Sequence, residues 1–421
     1  MHNANNIQTF KQKALNYANR FEYCCLLDSN DYPDVYGKYN YLLAIGAEKI
    51  LTQNAGLAFD RLKAHIDQYH DWCFGLFAYD LKNELEQLES RHPDLLHFPD
   101  LHFFIPQHVI ALGANGIQVL KGDKQIVNQI WDYPISTQSQ SKPSLNLKAK
   151  LSAQQYLQRI AQIKAHIARG DIYEMNFCQE FFVEDAEIDP IEVYSRLSLL
   201  SPTPFSAMLK LGDKYILSAS PERFLAKKGN KIISQPIKGT IKRGRDDKDD
   251  ELQKQKLKNS HKEQSENVMI VDLVRNDLSK VAKSGTVKVE ELFGIYTFPQ
   301  VHQMISTISA ELAPNIHPIE AIRQSFPMGS MTGAPKLRAM QLIDDLEESK
   351  RGAYSGALGY FCPDGDFDFN VIIRTILYNQ YTKYLSFQVG SAITYAADDE
   401  QELEECMVKA KAMLTALAAN Y

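Results

Sequence analysis

Apolar side chains recur at helical spacing in four segments of the chain. The clearest segment begins after Ser152 and ends at Gly170, and its apolar positions share one face: Leu157, Ile160, Ile163 and Ile167. The same spacing, with capping residues at the ends, predicts three more helices: residues 262–281, 334–350 and 399–418.

Runs of apolar residues between turn signals predict strands among these helices. Residues 205–238 form successive runs around Gly212-Asp213 and Gly229-Asn230, which is typical of tight hairpins. Later strands are predicted over three segments: residues 355–361, 367–378 and 384–393. Hairpins that alternate with helices, without strict βαβ units, indicate an α+β or α/β fold with antiparallel β-sheets flanked by outer helices.

The chain divides into three regions by composition. Residues 1–134 mix short apolar segments with loops and carry no catalytic motif, and we expect them to pack on the catalytic part. Residues 135–148 are polar and rich in helix and strand breakers, which predicts a linker. Residues 149–421 carry the candidate chemistry and are predicted to form the catalytic domain.

Charge and cysteine usage exclude several classes of function. The formal net charge of −6 argues against a nucleic-acid surface, because phosphate binding needs a clustered excess of Lys and Arg. No apolar run reaches the roughly 20 residues that span a bilayer, and the N-terminus lacks the apolar core of a signal peptide. The six cysteines form no CxxC pair, which favours reduced thiols in a cytoplasmic protein without a zinc site.

Two pairs of glutamates share helix faces at a spacing of three residues. Glu263 and Glu266 form one pair, and Glu402 and Glu405 form the other. Four converging carboxylates repel one another unless a hard cation such as Mg²⁺ lies between them. The spacing alone also fits an ordinary solvated helix face, although Glu266 directly precedes an apolar run that should be buried.

Lys238 lies between Ile237 and Gly239 at the end of a predicted strand, an unusual place for a surface charge. Buried lysines lose their proton readily and then act as nucleophiles. We therefore expect Lys238 to be uncharged and within reach of Glu222 on the neighbouring strand. That placement requires a three-residue loop or a bulge, because a two-residue loop puts the two side chains on opposite faces. A lysine ion-paired to a glutamate is the structural alternative.

Single residues add weaker signals. His302 is interpreted either as a base or as a core histidine. Arg374 lies among isoleucines, shortly after Tyr354, and needs a partner, for which a carboxylate of the protein or of a substrate is best suited. The segment 325–336, with two glycines and small hydroxyls before a helix, predicts either a capped helix start or an anion site.

Taken together, these segments resemble the chorismate-utilising enzymes, a family that includes anthranilate, aminodeoxychorismate, isochorismate and salicylate synthases. The resemblance covers residues 150–421 and rests on motifs in the family's order, among them SASPERF, PIKGT, ENVMIVDLVRND, FPMGSMTGAPKLRAM and RGAYSGALGY. It implies the family's fold. Residues 1–134 are similar to the family only loosely.

The resemblance implies roles for the candidate residues. Glu266 and Glu405 would bind Mg²⁺, supported by Glu263 and Glu402, and the metal would hold the ring carboxylate of chorismate. The second carboxylate of the substrate would be bound by four residues: Tyr354, Arg374, Gly390 and Lys409. His302 and Thr240 would line the ring, and Glu222 would be the general acid for the departing hydroxyl.

Lys238 is the residue that separates the subfamilies. Aminodeoxychorismate synthases resemble this chain in PIKGT, whereas the other members lack the lysine. The resemblance implies that Lys238 attacks chorismate and that ammonia, from a class I glutamine amidotransferase subunit, then enters at C4. Glu174 stands where aminating members carry glutamine, and its role stays open. The alternatives are anthranilate synthase component I and a chorismate-binding relative without turnover.

Overall fold

The structure is a computed structural model that describes residues 4–113, 116–134 and 145–418. The helices are α1 Ala4–Ala18, α2 Ala58–Tyr69, α3 Lys82–Glu86, α4 Ile126–Asp132, α5 Ala153–Ala168, α6 Pro190–Leu200, α7 Asp247–Lys258, α8 His261–Ser279, α9 Pro318–Ser325, α10 Lys336–Leu346 and α11 Asp399–Leu417. None of these described helices is long and apolar enough to cross a membrane.

Twenty-one strands in the described residues form two antiparallel sheets. The strands are β1 Tyr23–Asp28, β2 Tyr41–Ile45, β3 Lys49–Gln53, β4 Cys73–Phe77, β5 Leu101–Ile105, β6 His108–Gly113, β7 Gly116–Lys121, β8 Lys148–Ala149, β9 Glu174–Val183, β10 Phe205–Leu211, β11 Lys214–Ser220, β12 Arg223–Lys228, β13 Lys231–Gln235, β14 Ile237–Lys242, β15 Lys288–Thr297, β16 Val301–Glu311, β17 Gly333–Ala334, β18 Ala357–Phe361, β19 Phe367–Val371, β20 Thr375–Asn379 and β21 Tyr384–Thr394.

Both parts of the chain contribute to both sheets. The first sheet has the order β17-β9-β21-β20-β11-β10-β1-β2-β6-β7, with β8 beside β9. The second has the order β14-β16-β13-β12-β19-β18-β4-β5-β3, with β15 beside β16. Strands from residues 1–134 therefore extend sheets that residues 149–421 begin, and the predicted division into domains stays a prediction.

The predicted linker lies partly outside the described residues, which omit 135–144. Its end is structured, because Leu145 and Leu147 are buried and Lys148 begins the short strand β8. Leu145 and Leu147 are two residues apart, so in an extended segment their side chains point to the same side, which here is the core.

Two apolar cores follow from the alternation of side chains along the strands. Cys25 faces the core shared with the second sheet, whereas its neighbours Cys24 and Leu26 face the core beneath the helices. Helices α5, α6 and α11 cover that outer side of the first sheet. The predicted fold class of antiparallel sheets with outer helices is confirmed.

The ends of the predicted helices agree with the structure to within about one helical turn, whereas one predicted strand is wrong. Ser152 caps α5, where its side chain accepts a hydrogen bond from Gln155 N and the Gln155 side chain bonds back. Residues 367–378 were expected to form one strand, but the chain leaves the second sheet after Val371 and enters the first sheet at Thr375. Arg374 turns the chain there with φ of 50°.

Phe77 provides a test of the packing between the second sheet and its helices. Its ring is fully buried against four aromatic rings: Phe59, Phe103, Phe326 and Phe369. Phe77→Ala should lower the free energy of unfolding in urea by about 3–5 kcal/mol, because it leaves a cavity. Leu199→Ala, at a position that is 82% exposed, should change it by less than about 0.5 kcal/mol. Similar losses in both variants would contradict this packing.

Candidate active site

Many charged side chains line one cavity, which lies between the edges of the two sheets. The cavity measures about 830 Å³ including its open mouth, a size that suits a small organic ligand. It lies where β9 and β21 of the first sheet approach β14 and β16 of the second, with α8 and α11 at its rim. Both helices project carboxylates into it.

Most of the residues singled out by sequence meet in this cavity. Eleven of them line it: Glu222, Lys238, Thr240, Glu263, Glu266, Tyr354, Arg374, Gly390, Glu402, Glu405 and Lys409. Glu174 lies directly behind Lys238, and His302 lies outside the cavity wall. The geometry thus unites segments that are up to 235 residues apart in the sequence, from Glu174 to Lys409.

Irregular strands bring Lys238 and Glu222 to the same cavity. The hairpin between β12 and β13 has a two-residue loop, since Lys228 pairs with Lys231, but its register shifts between Arg223 and Ala226. A second register shift follows in β14 beside Gly239, which adopts φ of +94°. The bulge, rather than the three-residue loop, fulfils the condition set by the sequence, because a bulge redirects the side chains beside it.

Lys238 is buried, but it is not the neutral amine that we expected. Its side chain is 7% exposed, and its Nζ lies 2.6 Å from Oε1 of Glu174. Burial lowers the pKa of Lys238, but the charges of Glu174, Glu266 and Glu222 outweigh burial, so the pKa is raised. The expectation of a neutral Lys238 failed because the sequence indicates that this side chain is buried but does not show which carboxylates surround it. Lys238 is an ammonium group in the free protein.

Glu222 has the opposite character and holds a proton near neutral pH. Burial raises its pKa to about 7, although a hydrogen bond from Ser330 and the charge of Lys238 act against that rise. The Ser330 hydroxyl donates to Oε1 of Glu222 over 2.5 Å. A carboxyl group with this pKa is suited to give a proton to a leaving group at physiological pH.

The four glutamates of the two helices meet, and lysines lie among them. Lys262 Nζ is 2.9 Å from Oε1 of Glu402, and Lys409 Nζ is 2.7 Å from Oε1 of Glu405. Burial raises the pKa of Glu266 to about 8, and the charges of Glu174 and Glu263 add to the effect. Within the described part of the chain, no three such side chains are gathered as a finished ligand set for a metal.

Arg374 presents a cation without a protein partner. No hydrogen bond or ion pair holds its guanidinium within the described residues, although burial lowers its pKa and thus disfavours the charge. Of the two partners that the sequence left open, a ligand carboxylate therefore fits better than a protein carboxylate. Tyr354 lies nearby in the wall, where its hydroxyl is 3.4 Å from Sγ of Cys178.

Gly390 and Lys409 also line the cavity. Lys409 donates to the carbonyl oxygen of Gly390 over 2.9 Å while it pairs with Glu405. A Cβ at Gly390 would lie 2.0 Å from the Phe177 carbonyl, so only glycine allows β21 to lie this close to β9 here.

The placement of His302 at the cavity is wrong. His302 is fully buried, and its ring bonds Oδ1 of Asp250 at 2.9 Å and Oγ1 of Thr297 at 3.0 Å. Its neighbour Gln303 faces the cavity instead, because successive side chains of β16 point to opposite sides. The whole of β16 up to Ala310 is buried, so the sequence carried no polarity signal for choosing between the two residues.

Sequence reasoning also missed the buried ion pair that supports the wall. Arg351 binds Glu347 through two nitrogens, at 2.9 and 2.6 Å, and donates to the carbonyl oxygens of Met331 and Asn176. Both of those residues line the cavity. A fully buried arginine with saturated hydrogen bonds fixes the distance between the segments it joins.

A proton donor, a buried amine, an unpaired cation and a group of carboxylates thus surround one space. This combination can bind a small dianion, attack it and protonate what leaves. Residues 22–415 match the model of the family described as chorismate binding enzyme.

The chain belongs to the chorismate-binding enzyme family. The family predicted from the sequence motifs is thereby confirmed.

Curated chorismate-binding relatives cover most of this chain. Aminodeoxychorismate synthase component 1 of Klebsiella aerogenes is 35% identical over 351 residues, which are 81% of this chain and 76% of the relative. Its Escherichia coli K12 counterpart is 35% identical over 349 residues, or 82% and 76%. Anthranilate synthase component 1 of Acetivibrio thermocellus is 32% identical over 379 residues, or 84% and 76%.

Solved structures of chorismate-binding enzymes share the fold. Anthranilate synthase component I from Streptococcus pneumoniae TIGR4 superposes with a TM-score of 0.79 at 24% identity, covering 91% of this chain and 93% of its own. MenF, the menaquinone-specific isochorismate synthase of Escherichia coli, gives 0.75 at 18% identity, covering 96% and 91%. At these identities the likeness concerns the fold alone.

The charge on Lys238 of this chorismate-binding enzyme can be tested directly. Glu174→Gln removes the carboxylate at 2.6 Å, so the pKa of Lys238 should fall. Reductive labelling with a small aldehyde, read by mass spectrometry across pH, should then modify Lys238 at correspondingly lower pH. Glu184→Gln, in an exposed ion pair with Lys148, serves as the control. An unchanged labelling pH would show that Glu174 does not hold the ammonium.

Proposed function

We propose that this protein is a transferase, the component of aminodeoxychorismate synthase that converts chorismate and ammonia to 4-amino-4-deoxychorismate. This product serves para-aminobenzoate and folate biosynthesis. The observation that carries the proposal is the buried Lys238, which lies in the same cavity as Glu222 and within hydrogen-bond distance of Glu174. The resemblance of the PIKGT motif to the aminating subfamily supports the same assignment.

Chorismate carries two carboxylates, and the cavity has two places for them. Arg374, Tyr354 and Lys409 line the cavity and suit the enolpyruvyl carboxylate. The four glutamates lie at the helix rim, where a carboxylate of the substrate is repelled unless a cation lies between. Thr240 and Gln303 also line the cavity and would contact the ring.

The glutamates fit Mg²⁺ by the chemistry of their donors. Mg²⁺ prefers carboxylate oxygen and keeps several waters, so few protein ligands suffice. Burial is the main cause that raises the pKa of Glu263 and Glu266, so a cation bound beside them would stabilise their ionised forms. Glu266 and Glu405 would hold the ion, with Glu263 and Glu402 in support. When bound, Mg²⁺ supplies the positive charge that anchors the ring carboxylate.

Lys238 acts as the nucleophile in this proposal. Its ammonium must first release a proton, and Oε1 of Glu174, at 2.6 Å, is the acceptor that the geometry offers. The free amine attacks C2 of the ring, the double bonds shift, and the bond from C4 to its hydroxyl breaks. Glu222 gives its proton to the departing hydroxyl, which leaves as water.

Ammonia then completes the exchange at C4. It attacks C4 of the Lys238 adduct, the double bonds shift back, and the bond between C2 and the lysine nitrogen breaks. Two such substitutions avoid one difficult displacement of hydroxide by ammonia.

The ammonia is proposed to come from a class I glutamine amidotransferase subunit. All six cysteines of this chain are free and buried, and burial raises the pKa of each thiol, for example to about 12 at Cys178 and about 11 at Cys406. Buried thiols of this kind are inert, so none is a ready nucleophile for glutamine hydrolysis. Free thiols also fit the proposed cytoplasmic location.

Product analysis tests the proposed reaction. The pure protein, incubated with chorismate, Mg²⁺ and ammonium, should yield aminodeoxychorismate by mass spectrometry. Addition of the lyase that acts on this product should convert it to para-aminobenzoate. Anthranilate as the sole product would instead assign the chain to the anthranilate synthases. Unchanged chorismate would indicate a binding protein without turnover.

The pH profile tests the role of Glu222. Only the protonated acid is active, so kcat/KM should fall as pH rises through about 7. The Ser330 hydroxyl favours the ionised form, so Ser330→Ala should move this limb to higher pH by about 1 unit, the equivalent of a hydrogen bond to a charged group. Ser325→Ala removes, from the same segment, a hydroxyl that has no hydrogen-bond partner among the described residues, and is the matched control. A downward shift in Ser330→Ala would contradict the assignment.

A further inference from the structure

Lys262 lies among the four glutamates that we propose as the metal site. Its Nζ is 2.9 Å from Oε1 of Glu402 and 4.0 Å from Oε1 of Glu266, one turn further along α8. Glu402 is 2% exposed and Glu266 is 6% exposed. Buried carboxylates need a positive partner; Lys262 provides it at Glu402 and shares that role with Lys238 at Glu266.

The other lysines of the cavity, Lys238 and Lys409, are anchored in ways that Lys262 is not. Lys409 also donates to the backbone carbonyl of Gly390, and Lys238 is enclosed with Glu174. The Lys262 ammonium has only carboxylate partners within the described residues, and its side chain is 36% exposed. Its flexible stem can therefore carry the ammonium into solvent without breaking a backbone contact.

The glutamates are arranged around this ammonium rather than as a ready ligand set. No three acidic, histidine or cysteine side chains of the described residues are gathered to hold a metal ion, although all four glutamates line the same cavity. The geometry that is present instead pairs Glu402 with Lys262 and Glu405 with Lys409. A positive charge thus already contacts carboxylates of the proposed metal site.

We propose that the Lys262 ammonium occupies the cation position among these glutamates in the free enzyme and must be displaced before a divalent cation can bind. The proposal rests on the metal site of the proposed function. An ammonium and a divalent cation repel each other at the same oxygens, so they occupy the site in turn. Lys262 keeps the carboxylates together between turnovers and lowers the affinity for the metal.

The size of the effect follows from the competition. If a site is free for only a fraction of the time, its apparent affinity for the ligand is the intrinsic affinity multiplied by that fraction. If Lys262 occupies the glutamates about nine-tenths of the time, its removal tightens Mg²⁺ binding about tenfold.

Calorimetric titration of Mg²⁺ into the full-length protein tests this, with and without chorismate in ammonium-free buffer. Lys262→Met keeps the length of the side chain and removes its charge, and it should lower the Kd for Mg²⁺ about tenfold. Lys262→Arg keeps the charge and should stay within about threefold of the wild type. Lys254→Met removes an exposed charge on α7, outside the cavity, and controls for the change in net charge.

The outcomes separate this inference from the proposed function. Mg²⁺ binding by the wild type, with an equal or higher Kd in Lys262→Met, would overturn the displacement of Lys262 and leave the metal site standing. A similar decrease in Lys254→Met would also overturn it, because net charge would then explain the effect. Absence of binding in every protein and condition would overturn the metal site itself.

Thermal unfolding gives a second readout. Without metal, Lys262→Met should unfold at a lower temperature than the wild type, because the buried carboxylates lose their counter-charge. Saturating Mg²⁺ should raise the unfolding temperature of the variant more than that of the wild type. An equal rise in both proteins would contradict competition between Lys262 and the metal.

Discussion

The ion pair of Lys238 with Glu174 places a lysine ammonium in a cavity that excludes most solvent, and other charged groups of the site are arranged around it. The pair, 2.6 Å apart, keeps the amine in position. Its positive charge lowers the cost of ionising Glu222 and Glu266, both of which burial holds partly protonated. Removing either partner would leave a buried charge without compensation, which is why such pairs break only at high cost. The same pair supplies a proton acceptor beside the proposed nucleophile.

Irregular backbone positions, rather than regular strands, direct the side chains of this site into the cavity. A bulge at Gly239 directs Lys238 inward, and the crossing between sheets at Arg374 brings a guanidinium to the cavity wall. Arg351 ties the segments of Met331 and Asn176 to each other from behind. Bulges and left-handed residues interrupt hydrogen bonding in a sheet and are therefore retained where a side chain must be aimed. The regular strands and outer helices hold these positions at fixed distances.

Much of this arrangement could be predicted from the sequence, and the failures have physical causes. Helix ends followed from caps such as Ser152, and ordered motifs identified the family. His302 was expected at the cavity from the family resemblance, and the uniformly buried strand β16 gives no sign of which of its side chains face the cavity. The charge of Lys238 depends on Glu174, which comes from a strand of the other sheet, so no local pattern could reveal it. Lys262 was overlooked because a lysine beside glutamates on a helix is typical of an exposed surface.

The central claim is that Lys238 forms a covalent bond to the substrate during amination. Intact-protein mass spectrometry, after incubation with chorismate and Mg²⁺ and without ammonium, measures this most directly. The account predicts a chorismate-derived adduct on the wild type, mapped to Lys238 by peptide analysis, and no adduct on Lys238→Ala. An adduct that survives in Lys238→Ala would show that another residue is the nucleophile and would contradict the account.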